Sequence, residues 1–256
     1  MVRYCYIVAE GLQDVEFLIR LLKPRGLNRV TQFDKLDQFW KPLIPDKFPF
    51  KGDLMKRVPV PMFLQNSEVS VAVDSANGIK RLTETLEETL ALITASQVFG
   101  LGVILDADDE ETPPVRFQKL SAELAQTGLT LPPTLGVVTK GAPRCGIFII
   151  PDNETSGTLE DILLDCAQVN YPDLLEKATN YIDNIDAAQL DKDDLRDFRK
   201  QAGKKKAVIS SITSVLKPGK ALQVSLQDNR WLDGAAMNLP QLQTLQRFLE
   251  EILGFA

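Results

Sequence analysis

The chain has 256 residues, is 44% hydrophobic and 25% charged, and carries a net charge of −6, which is the composition of a globular protein with a sizeable core rather than of a disordered or fibrous one. It contains no histidine, so Ser-His-Asp and Cys-His catalysis, His-bearing zinc sites and imidazole acid–base work are excluded, and any chemistry must rest on carboxylates, lysines, hydroxyls or metals. The acidic balance gives no global pull toward nucleic acid, whose binding is driven by phosphate contacts and counterion release; such a partner would need local basic patches or bridging cations.

In chain order, Arg3 to Ala9 is a short β-branched and aromatic run ending at Glu10-Gly11, as a buried strand would. Residues 14–23 follow with apolar side chains at 15, 17, 18, 21 and 22 and a Pro-Arg-Gly stop, which predicts an amphipathic helix. Asn28 to Phe33 is a candidate second strand. The stretch from Trp40 to Gly52 has neither helical nor strand period and reads as an insertion or long loop. Residues 58–73 are strand-like, with Pro59 and Pro61 confining the first half to an edge. A helix is expected over 78–94, a second buried strand over 100–106, and a helix from about 108 to 126. Leu135 to Thr139 and Gly146 to Ile150 read as strands flanking a turn, the second ending at Pro151-Asp152-Asn153.

From Thr158 the pattern turns helical: 159–169, 172–185, 191–215 with a weak break near Gly203, and 239–252 after a polar segment. Strands alternating with helices over the first 150 residues predict an α/β fold, a mostly parallel sheet flanked by helices, with a helical C-terminal extension. The three cysteines, Cys5, Cys145 and Cys166, lack CxxC spacing and read as buried thiols. No apolar run approaches the ~20 residues of a bilayer span, and the N-terminal segment lacks a secretory pattern, so a cytoplasmic protein away from the membrane is expected.

The informative feature is where the acidic residues fall. Glu10 ends the first strand, Asp106 and Asp108 end the second, and Asp152 follows the third. In a parallel sheet these ends share one edge, where open α/β folds carry their ligands. Clustered carboxylates persist when a hard cation neutralises them, and oxygen donors without histidine point to Mg²⁺ or Mn²⁺. Taken singly, each residue has a simpler reading. Asp14 fits the first turn of its helix, Asp106 a helix cap, and Thr158-Leu-Glu-Asp161 a capping box as readily as a metal role for Glu160 or Asp161. The densest basic stretch, Lys204-Lys-Lys206 with Arg196, Arg199, Lys200, Lys217 and Lys220 nearby, reads first as a solvated helix face and second as a phosphate-binding patch.

Glu10-Gly11 with Asp14, then Asp106-Ala-Asp108 after an apolar strand, resembles the Toprim motif set shared by topoisomerases, primases and OLD-type nucleases. The stretches Gly146 to Asn153 and Gly157 to Asp161 resemble an uncharacterised prokaryotic Toprim-like family. That resemblance implies a Toprim-like Rossmannoid domain over 1–165 with an insertion near 40–75, and a mainly helical part over 166–256 packed on it. It implies that Glu10 is a general acid or base or a metal ligand, that Asp106 and Asp108 hold Mg²⁺, and that Asp14 completes a second metal position. Asp152 and Glu160 join the candidate metal set. The implied function is Mg²⁺-dependent phosphoryl transfer, nuclease-like, on nucleic acid or nucleotides reached through the metal and local basic residues. A non-catalytic binding or regulatory module on the same scaffold is the alternative.

Overall fold

The computed structural model describes residues 2–45, 47, 60–107, 111–186 and 188–255. Its strands are β1 (Arg3–Ala9), β2 (Asn28–Arg29), β3 (Met62–Gln65), β4 (Val69–Ser75), β5 (Val98–Asp106) and β6 (Arg144–Ile150). Its α-helices are α1 (Leu12–Leu22), α2 (Leu82–Leu92), α3 (Pro113–Leu124), α4 (Leu159–Asn170), α5 (Pro172–Asp183), α6 (Gly203–Leu216), α7 (Leu222–Asp228) and α8 (Pro240–Leu253). The strands form one sheet in the order β2-β3-β4-β1-β5-β6. β1 is parallel to β4 and to β5, whereas β2, β3 and β4 pair antiparallel. The fold is therefore α/β with a mostly parallel sheet and helices at the C-terminal end of the chain. Among the described residues no helix is long and apolar enough to cross a membrane.

β1 sits at the centre because its sequence permits burial on both faces: Cys5 to Ala9 are all buried. β4 flanks it and is buried along its whole length. The insertion expected over 40–75 therefore includes two strands of the sheet, one of them central. Ser70 and Asp74 interrupt the apolar run of β4, and Pro61 stands immediately before β3. The turn after α1 ends at Gly26, whose φ of +70° suits glycine.

The chain folds into two compact units: Met1–Leu105 with Phe117–Phe148 and Gln246–Ala256, and Asp106–Arg116 with Ile149–Leu245. The first unit takes in the last turns of α8. Their seat is made of glycines. A Cβ on Gly100 would lie 2.1 Å from the Ile252 carbonyl oxygen, and one on Gly146 would lie 2.6 Å from the Phe248 ring. The missing side chain on β5 thus lets helix backbone approach strand backbone directly, and the one on β6 makes room for the Phe248 ring. The Phe148 and Phe248 rings pack at a tilt of 53° with centroids 5.3 Å apart, Arg144 donates to the Glu251 carbonyl at 2.9 Å, and Arg3 donates to the Gly254 carbonyl. Two guanidiniums thereby face the negative end of the α8 dipole.

The second unit has its own core, including Ile162, Leu163, Cys166, Ile209, Ile212, Leu226, Trp231 and Leu245, all essentially inaccessible. The helix expected over 191–215 is a run of turns up to Lys200 followed by α6, which begins at Gly203. Asp-rich segments favour local side-chain to backbone bonds over a continuous helix; Asp191, for example, accepts from the Asp193 N–H at 2.8 Å. The polar segment before the last helix holds α7, whose Ser225 accepts from the Trp231 indole N–H at 2.9 Å.

Candidate functional site

In the first unit, Glu10 leaves β1 at the C-terminal edge of the sheet. Its carbonyl accepts from the Gly78 N–H at 2.9 Å, and the Ala9 carbonyl accepts from the Ala76 N–H at 2.9 Å. The exits of β1 and β4 are thus tied together past the last ladder pair. Asp14 is buried in the first turn of α1, and its carboxylate accepts from the Gly11 N–H at 2.7 Å. That bond satisfies a helix-start donor and places negative charge where the helix dipole favours it.

The structure adds a neighbouring acid that the strand-end pattern does not pick out. Asp74, the penultimate residue of β4, is buried and accepts from the Tyr6 hydroxyl at 2.9 Å; that hydroxyl lies 3.0 Å from Thr89 Oγ1. Burial raises the Asp74 carboxyl above its usual range, against the opposing pull of the Tyr6 and Ser75 hydrogen bonds. Burial likewise raises the Tyr6 phenol, helped by the nearby Asp74 charge. The one signal in the sequence is a lone charged residue in the VSVAVDS strand.

In the second unit, Asp106 closes β5 and its Oδ1 accepts from the Leu159 N–H, the first residue of α4, at 3.0 Å. The Ala107 N–H donates to the Ile150 carbonyl at 3.0 Å, so β5 and β6 end side by side. Thr158 and Asp161 form a capping box at the start of α4, with the Thr158 N–H donating to Asp161 Oδ2 at 2.9 Å. Lys205 Nζ lies 2.8 Å from Asp161 Oδ1 and 2.9 Å from Oδ2. Glu160 is buried, with Lys206 Nζ at 3.8 Å. Asp106 is thereby brought to the helix turn that carries Glu160 and Asp161. Asp152 occupies a turn of its own, accepting from the N–H groups of Glu154 and Thr155 at 2.9 and 2.7 Å and from the Thr155 hydroxyl. Asp108 lies outside the described residues.

The donor chemistry of these residues suits a hard cation: carboxylate oxygens throughout, with no imidazole and no exposed thiol. Among the described residues, no group of three or more Cys, Asp or Glu stands close enough to hold a metal ion. The cysteines are buried thiols, as their apolar settings predict, and burial raises Cys5 and Cys166 to about 12 and Cys145 to about 11.

A family model described as "Protein of unknown function (DUF3226)" matches residues 5–254, and the chain belongs to that family. The crystal structure of a hypothetical protein from Pyrococcus horikoshii is similar, with a TM-score of 0.56 and 18% identity, covering 98% of this chain and 95% of that one. At that identity the likeness shows a shared fold. No curated protein matches the sequence.

Proposed function

We propose that this member of the DUF3226 family is a cytoplasmic Mg²⁺-dependent phosphoryl-transfer protein of the Toprim type, nuclease-like, acting on phosphodiesters of nucleic acid or nucleotides. The observation that carries the reading is topological. β1 and β5 are parallel neighbours, Glu10 follows the first, Asp106 closes the second, and the C-terminal edge of such a sheet is where α/β folds bind ligands. Asp106 and Asp108 would hold the ion. When bound, the ion neutralises phosphate charge and activates water, a task that a chain without histidine cannot give to imidazole. Asp106 is held in place by the start of α4, so its carboxylate is oriented before any ligand arrives.

The test separates charge from shape. Asp106→Asn keeps an oxygen for the Leu159 N–H but removes the negative charge; Asp106→Ala removes both. Mn²⁺ titration followed by electron paramagnetic resonance, with a Mg²⁺- and Mn²⁺-supplemented cleavage assay on DNA and RNA, should show binding and turnover in the natural protein. Both should fall at least tenfold in Asp106→Asn, with thermal stability retained. No Mn²⁺ binding at millimolar concentration, or equal binding by Asp106→Asn, would overturn the reading.

A second reading has one observation in its favour: Asp152 and Asp161 are engaged by backbone N–H groups and lysine. A binding or regulatory module on the same scaffold is what that engagement supports, and tight Mn²⁺ binding without turnover is its signature.

A further inference from the structure

Residues 196–206 carry six cations, Arg196, Arg199, Lys200, Lys204, Lys205 and Lys206, against a single carboxylate, Asp197, in a chain whose net charge is −6. We propose that this segment of the second unit is a docking track for the phosphate backbone of nucleic acid, read without regard to base sequence. The proposal deepens the phosphoryl-transfer reading and rests on it for the identity of the polyanion.

Helix energetics argue against a purely structural role. Lys204, Lys205 and Lys206 fill the first turn of α6, where the helix dipole disfavours positive charge. Only Lys205 is firmly held, by both oxygens of Asp161 at 2.8 and 2.9 Å. Lys204 and Lys206 reach Asp183 and Glu160 at 3.4 and 3.8 Å, with side chains 60% and 62% exposed. Such loose, solvated pairs contribute little to stability and exchange readily for a phosphate oxygen.

The track is also built rather than loose. A Cβ on Gly203 would fall 2.3 Å from the carbonyl oxygens of both Asp197 and Phe198, so the preceding turn rests directly on the first residue of α6. The Gly203 N–H donates to the Lys200 carbonyl at 2.8 Å, the Arg199 N–H to the Leu195 carbonyl at 2.9 Å, and Leu195 is buried. Arg196, Arg199 and Lys200 are exposed on that turn and continue the surface begun by the lysines of α6. Phe198 is the segment's one aromatic residue and is half-buried. The surface therefore offers charge without a stacking platform or the apolar face that membrane insertion requires, which favours a phosphate backbone over bases or a bilayer.

The test is fluorescence anisotropy of a labelled 20-base-pair DNA duplex with the full chain, in EDTA, across a series of salt concentrations. The natural protein should bind with a linear log–log salt dependence. The variant Arg196→Ala, Arg199→Ala, Lys200→Ala should bind on the order of tenfold or more weakly, with a salt slope lower by about 2.7, or roughly 0.9 for each of the three phosphates no longer neutralised. The charge-conserving variant Arg196→Lys, Arg199→Lys, Lys200→Arg should bind as the natural protein does, and so should Lys23→Ala, Lys35→Ala, Lys47→Ala, which alters exposed cations of the first unit. Circular dichroism checks that each variant is folded. Equal binding by the first triple variant overturns the proposal, as does absence of binding at about 100 µM protein, the weak end of non-specific affinity. Binding to anionic vesicles in place of DNA overturns it as well. Because EDTA removes divalent ions, DNA binding retained by Asp106→Asn keeps this outcome separate from the fate of the metal site.

Discussion

The substitution Gly100→Ala asks whether the end of α8 is seated on the sheet by backbone contact. The added methyl would lie 2.1 Å from the Ile252 carbonyl oxygen, 3.0 Å from its carbonyl carbon and 3.2 Å from its Cγ2, against an ordinary heavy-atom separation of about 3.5–4.0 Å. The nearest atom belongs to helix backbone, so relief requires α8 or β5 to move by more than about 1 Å. Overpacking of this kind costs about 1–3 kcal/mol, and the rigidity of both neighbours places this case at the upper end, about 3 kcal/mol. For a chain of this size that is a fall of roughly 6–12 °C in melting temperature. Gly102→Ala is the matched control, because its methyl would meet Ile7 and Ile252 side-chain atoms at 3.6–3.8 Å, ordinary contact. Its change should stay within about 1 kcal/mol of zero, helped by the reduced entropy of the unfolded chain. The assay is urea unfolding followed by tryptophan fluorescence in a Trp231→Phe background, where buried Trp40 reports the first unit alone. A Gly100→Ala midpoint within about 0.5 kcal/mol of the parent, the usual limit for an inert surface change, or equal losses in both variants, would refute the reasoning.

Asp74 makes stability depend on pH. Its folded-state carboxyl is raised above 3.8, so the folded form holds the proton more tightly, and stability should fall as pH rises from 3.8 through the higher folded value. Asp74→Asn should flatten that slope, as read from urea midpoints between about pH 3.5 and 7, and an unchanged slope would place its origin elsewhere. Ser225→Ala removes the acceptor of the buried Trp231 N–H and should cost about 1–3 kcal/mol, measured by chemical denaturation with fluorescence at Trp231. Cys5 and Cys166, raised to about 12, should resist iodoacetamide at about pH 8 in the folded protein and react once it is unfolded in urea; mass spectrometry counts the adducts, and rapid labelling of the native chain would contradict their burial.

Some of this architecture is readable because it is local. β1 is an apolar run with no breaker inside it, α1 repeats its apolar residues with helical period, and the capping box at Thr158 and Asp161 spans four residues. Other parts depend on distant partners and leave no local trace. The glycines of Gly100-Leu-Gly102 have no local explanation inside a buried strand; Ile252, far along the sequence, fills the space above them. β4 is central yet contains Ser70 and Asp74, whose polar groups are satisfied by Trp40 and Tyr6 from elsewhere in the first unit. The candidate site divides in the same way. That strands end in acids is visible from residue order, whereas the bond from Leu159 to Asp106 crosses 53 positions and gives this acid a structural duty that its own neighbourhood does not announce.

That duty bears on whether one residue can serve both the fold and a cation. Capping a helix requires an oxygen acceptor, which a neutral amide also provides, and a helix N-terminus further favours negative charge at that oxygen. Holding a divalent ion requires the charge itself. The two demands are compatible, since the α4 terminus both orients the Asp106 carboxylate and stabilises its anionic form. Lys205 and Lys206 add positive charge to the same turn through Asp161 and Glu160. The turn therefore carries acids that are partly offset by lysines. A set of caps alone would need the acceptors but would gain nothing from their charge beyond the dipole contribution, roughly 0.3–1 kcal/mol. Asp106→Asn distinguishes these cases, because it leaves the cap and removes the charge.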